Sequence, residues 1–225
     1  MASRKEEKER LRKEREEKER EEKEKQRKKK RRLRILGIVG AVIVLGVVGA
    51  LVLSGGKKKT NQQASQGLQV SAGPWRAVTD GLQDREKALQ LPAPSDTIYH
   101  IHAQLKVFTN GKEQKVPQNI GIDPGAQFLS SLHTHDEKGI VHMEAVEPYP
   151  FTLGQFFTVW GVKFTQNQLG SYTSGNGLNL QTYANGELVP NGPKYEMKQG
   201  DAIVVGYGKP DSFPKKFTPD PSVGQ

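Results

Sequence analysis

Nineteen consecutive residues, Ile35 to Leu53 (ILGIVGAVIVLGVVGALVL), carry no polar side chain. As a helix rising about 1.5 Å per residue, the run covers about 28 Å, close to the hydrocarbon thickness of a bilayer. No other stretch of the chain approaches it, so any folded core with polar loops must lie to one side. Arg27 to Arg32 and Arg34 precede the run and Lys57, Lys58 and Lys59 follow it. The denser basic flank is expected on the cytoplasmic side of the plasma membrane, leaving residues 60–225 outside. The segment before the run is too long for a signal-peptide n-region, and the run exceeds the usual about 7–15 residues. The expectation is a permanent single-pass anchor. Small residues four apart in it, Gly37/Ala41 and Gly46/Ala50, permit close approach of two such helices and a weak homodimer.

Charge is distributed around this run and not over the whole chain. Residues 1–34 hold 18 Lys/Arg and 10 Glu, a net of +8, and three lysines follow the run. Residues 60–225 carry 13 Lys/Arg against 15 Asp/Glu, a net of −2. The folded part is therefore slightly acidic, which argues against nucleic acid as a partner despite the whole-chain net charge of +9. In the tail, Glu precedes Lys or Arg by four at Glu6/Arg10, Glu9/Lys13 and Glu14/Lys18, among others. Such pairs each support a helix by about 0.2–0.5 kcal/mol. With Leu11 as the one apolar residue from Arg4 to Arg32, the segment has no stripe to bury in a coiled coil. It reads as a solvated helix or a disordered tail, with Arg27–Arg34 suited to anionic lipid headgroups.

Beyond the run, residues 54–73 read as a polar linker and 74–91 as a short helical segment interrupted by Gly81. Residues 92–210 read as the external domain and 211–225 as a C-terminal tail. The chain has no cysteine, which excludes disulfides, thiolate zinc sites and thiol catalysis. In 92–210, Asn110-Gly111 and Asn185-Gly186 are strong two-residue hairpin signals. LKVFTNGKEQKVP and LQTYANGELVP look like two copies of one hairpin. Asp201 to Tyr207 reads as a buried strand. One helix is well marked: Thr152 and Gln155 fit a capping box, and Leu153, Phe156, Phe157 and Trp160 follow at helical spacing until Gly161. The fold expected is α+β, a small antiparallel sheet with one packed amphipathic helix; a β-sandwich or barrel is the alternative.

All five histidines fall between positions 100 and 142. If a hairpin closes around Glu137-Lys138, His133 lies opposite His142 and His135 opposite Ile140, and residues two apart share a face. His133, His135, His142 and Glu144 would then project together, a donor set suited to zinc or copper. His100 and His102 join them if their strand is the neighbour. Three readings stay open. The histidines bind a metal; or they are structural in a module that binds an envelope protein or glycan; or the metal assists a hydrolase, with Asp136 or Glu144 as base.

At these residues the chain resembles an uncharacterised family of bacterial, largely actinobacterial, membrane-anchored or exported domains. The shared motifs are H-x-H-A-x-L-x-V-F-x-N-G (His100 to Gly111), V-P-x-x-I-G-I-D (Val116 to Asp123), HTHD-x2-G-x-V-H-x-E with FTLGQFF-x-x-WG, and G-D-x-I-x-V-x-Y-G (Gly200 to Gly208). The resemblance covers residues 85–208. It implies one domain over 97–208 with the histidines in its signature, and no particular activity.

Overall fold

The protein is described by a computed structural model over residues 67–96 and 98–224. The charged tail, the apolar run and most of the linker lie outside the described residues. Among those described, no helix is long and apolar enough to cross a membrane.

The chain enters along the domain's surface, where Gln69 exchanges backbone hydrogen bonds with Gly161 and Lys163. Trp75 and Leu82 are buried in the main core. Helix α1 (Leu82–Leu89) follows. Its Arg85 is buried, donating to the carbonyls of Asp80 and Val78 at 2.7 Å each. Segment 74–91 is thus packed as part of the domain.

Strands β1 (Tyr99–Thr109) and β2 (Lys112–Gln114) form the first hairpin. Short strands β3 (Ile122–Asp123), β4 (Phe128–Leu129) and β5 (Leu132–His133) lead to β6 (Ile140–Ala145). Helix α2 (Leu153–Trp160) is followed by β7 (Gln168–Leu169), β8 (Tyr172–Thr173), β9 (Asn179–Ala184), β10 (Glu187–Val189) and β11 (Asp201–Gly208). The main sheet is open, in the order β10-β9-β11-β1-β6-β5, with β2 also on β1. Asn110-Gly111 and Asn185-Gly186 all have positive φ, as the tight turns of both hairpins require.

The α+β class holds, but the sheet is mixed and not antiparallel. β1 and β11 pair in parallel, Ala103 opposite Asp201 through Thr109 opposite Tyr207. The reason is burial: all eight residues of β11 are buried, and a strand covered on both faces reads as a continuous apolar run in either direction. Its partner lies nearly a hundred residues away, beyond the reach of any hairpin signal.

Helix α2 fits its expectation. Thr152 Oγ1 accepts from the Gln155 amide at 3.3 Å, and the Thr152 amide donates to Gln155 Oε1 at 2.8 Å. Leu153, Phe156, Phe157 and Trp160 are fully buried, as is Val159. Gly161 ends the helix at φ 80°. Each such large side chain contributes about 1.5–3 kcal/mol by leaving water, so this helix anchors the core on one face of the sheet. The opposite face carries a smaller cluster of Phe108, Tyr183, Val204 and Phe213 at one end. Residues 211–224, read as a tail, contribute buried Phe213 and Val223 to the domain.

Candidate metal centre

Alternation along β1 and β6 separates core from chemistry. Ala103, Leu105, Val107, Val141, Met143 and Ala145 point into the main core. Their even-numbered neighbours face the other way. Register then assembles the site: His100 lies opposite Glu144, His102 opposite His142, and His133 opposite His142 on the far side. The ladder of β5 ends at His133, so His135 sits on the bend beyond it and not opposite Ile140.

The nitrogens are close. His100 Nε2, His102 Nε2 and His142 Nδ1 form a nearly equilateral triangle with sides of 3.0–3.1 Å. On the other side, His133 Nε2 lies 3.2 Å from His135 Nε2. The His133 and His142 rings stack at 5.1 Å and 12°. Glu144 Oε1 is 3.4 Å from His100 Nε2 and 3.5 Å from His133 Nε2. Two sets of three, His100–His102–His142 and His133–His135–His142, have geometry that can hold a metal ion.

Several backbone devices aim these rings. His133 Nδ1 lies 2.9 Å from the Ser130 carbonyl. A carbonyl only accepts, so Nδ1 carries the proton and, in the neutral ring, Nε2 presents its lone pair to the cluster. The His133–Thr134 strand is gripped from its outer side: Thr134 exchanges backbone hydrogen bonds with Asn119 and Ile120, and its hydroxyl donates to the Pro117 carbonyl at 2.8 Å. Gly121 makes this approach feasible, since a Cβ there would overlap the Leu132 carbonyl. His102 is fixed by the turn before β11, its amide donating to Gln199 Oε1 at 2.7 Å and its carbonyl accepting from Gly200. Gln199 in turn donates to the Val223 carbonyl at 2.7 Å, tying the C-terminal segment to the site's border.

The electrostatics favour neutral imidazoles at His133 and His142. Burial first, then the neighbouring imidazoles, push His142 down to about 3. Burial also dominates at His133, pushed to about 4 although the Ser130 carbonyl opposes the shift. Burial raises the Glu144 carboxyl above its ordinary range, partly opposed by His100. Neutral imidazole is the form that ligates metals.

All six residues singled out from the sequence come together: His133, His135, His142, His100, His102 and Glu144. The tightest set is His100–His102–His142, whereas sequence reasoning centred on His133, His135 and His142. Ser130 and Gln199 were missed; their roles run through a carbonyl and a long-range side-chain contact, for which no sequence signal exists. Asp136, the other candidate base, has its Oδ1 bound to the Lys138 amide at 2.9 Å and serves the turn. A separate cleft of about 280 Å³ lies along β9 and β10, lined by residues such as Phe164, Gln166, Asn167, Gln181 and Leu188. No ionisable side chain lines it. Comparisons with family models, curated proteins and solved structures found no match.

Proposed function

We propose that this is a single-pass membrane protein whose external domain binds a transition metal, zinc or copper, through its clustered histidines. The observation that carries the reading is the triangle of His100 Nε2, His102 Nε2 and His142 Nδ1. Each nitrogen bears either a proton or a lone pair. With two roles and three atoms, at least two atoms share a role. Without a cation, at least one pair therefore faces like against like at 3.0–3.1 Å. A metal ion lets all three present lone pairs.

The dimensions suit such an ion. A triangle of this size has a circumscribed radius of about 1.8 Å. At a metal–nitrogen distance of about 2.0–2.1 Å, the ion would stand about 1 Å above the plane with N–metal–N angles of about 95°. That lies between tetragonal and tetrahedral angles, and ring movements of about 0.3 Å reach either copper(II) or zinc preferences. The apolar run and its basic flank support an anchor with the histidines outside the cytoplasm. The motifs support kinship with the exported bacterial domains they resemble.

The full chain, purified in detergent without a histidine tag and dialysed against zinc or copper, should retain at least one ion per chain by elemental analysis. Absence of stoichiometric metal under both conditions would sink the reading. For topology, the chain's lack of cysteine permits a single label. Exposed Ala126→Cys should react with a membrane-impermeant maleimide on intact cells, and protection there until lysis would contradict an external domain.

A further inference from the structure

The five histidines cannot all serve one ion. Two ligands of the same ion stand no further apart than about 4.2 Å, twice a metal–nitrogen bond. Yet the ring nitrogens within 4.8 Å of one another form two sets of three, with His142 common to both, and not one set of five. Ring contacts follow the same division. His100 and His102 rings lie 4.5 Å apart and each meets His142; His133 and His135 rings lie 4.7 Å apart and each also meets His142.

Glu144 lies between the two sets. Its Oε1 touches one nitrogen of the first, on His100, and one of the second, on His133. The side chain is 7% exposed and its ion-pair partners among the described residues are these imidazoles. A buried carboxylate without Lys or Arg beside it is costly unless something cationic accompanies it.

We propose that the cluster holds two divalent transition-metal ions, one on His100, His102 and His142 and the second between His133 and His135, with the Glu144 carboxylate as the anion shared between them. The inference rests on the metal-binding reading and adds its stoichiometry. His142 Nδ1 belongs to the first ion by its 3.1 Å distances to His100 and His102. The 3.2 Å separation of His133 and His135 Nε2 is near the edge of a tetrahedral zinc site, about 3.3 Å.

The test counts ions per full chain in detergent after dialysis against zinc and, separately, copper(II). Three proteins are compared: wild type, His100→Ala with His102→Ala, and His135→Ala. His100 and His135 are exposed, and thermal melts verify that each variant folds. Two ions are expected in wild type and one in each variant. Two adjacent copper(II) ions also interact magnetically, so wild type should give less paramagnetic resonance intensity than its copper content, and each variant full mononuclear intensity. One ion in wild type, lost in both variants, overturns the two-ion assignment while leaving metal binding intact. Retention of two ions in either variant, or loss of both, also overturns it. No ion in wild type removes the metal reading itself.

Discussion

His142→Ala separates a metal ligand from a structural histidine, because the two roles predict opposite thermal behaviour. His142 Nδ1 stands 3.1 Å from both His100 Nε2 and His102 Nε2. Removing it leaves His100 and His102 as one pair at 3.0 Å and His133 and His135 as another at 3.2 Å. Each pair can form one donor–acceptor bond, so the substitution discards an unfavourable like-against-like contact together with at most one good hydrogen bond, worth about 0.5–1.5 kcal/mol. The metal-free loss should be about 1 kcal/mol or less, which is about 2–4 °C in Tm for a domain of this size. Each ion at a hundred times its Kd stabilises by about 2.7 kcal/mol, raising the Tm by about 5–11 °C. The variant lacks a ligand of the first ion but keeps His133, His135 and Glu144 for the second, so its metal-dependent shift should fall to about half that of the wild type. Scanning calorimetry of the full chain in detergent, with chelator and then with zinc, reads both quantities. A metal-free loss above about 3 kcal/mol would make His142 a structural residue, and an undiminished metal shift would place the first ion elsewhere.

Three further outcomes are expected. His133 and His142 are held at about 4 and about 3, below their ordinary 6.5. The unfolded chain therefore binds more protons between those values and pH 6.5, and metal-free stability should fall as pH drops through that window and level off above it. Melting temperatures in chelator from pH 4 to 8 check this, and a flat profile contradicts neutral burial. Thr152→Ala removes the capping box of α2 and should cost about 1 kcal/mol in denaturant melts, with an unchanged slope. Gly139→Ala places a Cβ against the Leu105 carbonyl at φ 76° and should destabilise by about 1–3 kcal/mol; a neutral result would mean the turn between His135 and β6 is not constrained there.

Local signals carried much of the fold. The Thr152 capping box, the 3–4 spacing of Leu153 to Trp160 and the two Asn-Gly turns are complete within a dozen residues each, and all formed as expected. The opposition of His133 and His142 was also legible, since it followed from the position of one turn. What failed to show was sheet order. The parallel docking of β11 on β1 leaves no periodic trace because Asp201–Gly208 is buried on both sides. His100 and His102 therefore stayed conditional, although the register of β1 on β6 makes them part of the tightest nitrogen triangle. His135 was misplaced for a related reason: the backbone pairing of Thr134 with Asn119 and Ile120 diverts the chain from β6 after His133.

Because the clustered histidines and the core residues alternate along the same two strands, the sheet works as a partition between two problems that can be solved separately. An exchange of His100, His102 or His142 for another donor leaves Ile101, Ala103, Val141 and Met143 facing the main core as before. On the proposed metal-binding reading, such a scaffold would change its metal preference by single substitutions without refolding. The same partition is intolerant of a different edit: one residue inserted in β6 before His142 would rotate the imidazole into the apolar core and expose an aliphatic side chain in its place. Point changes to this site and changes of chain length in its strands should thus have very different fates, the first testing chemistry and the second testing whether the protein folds at all.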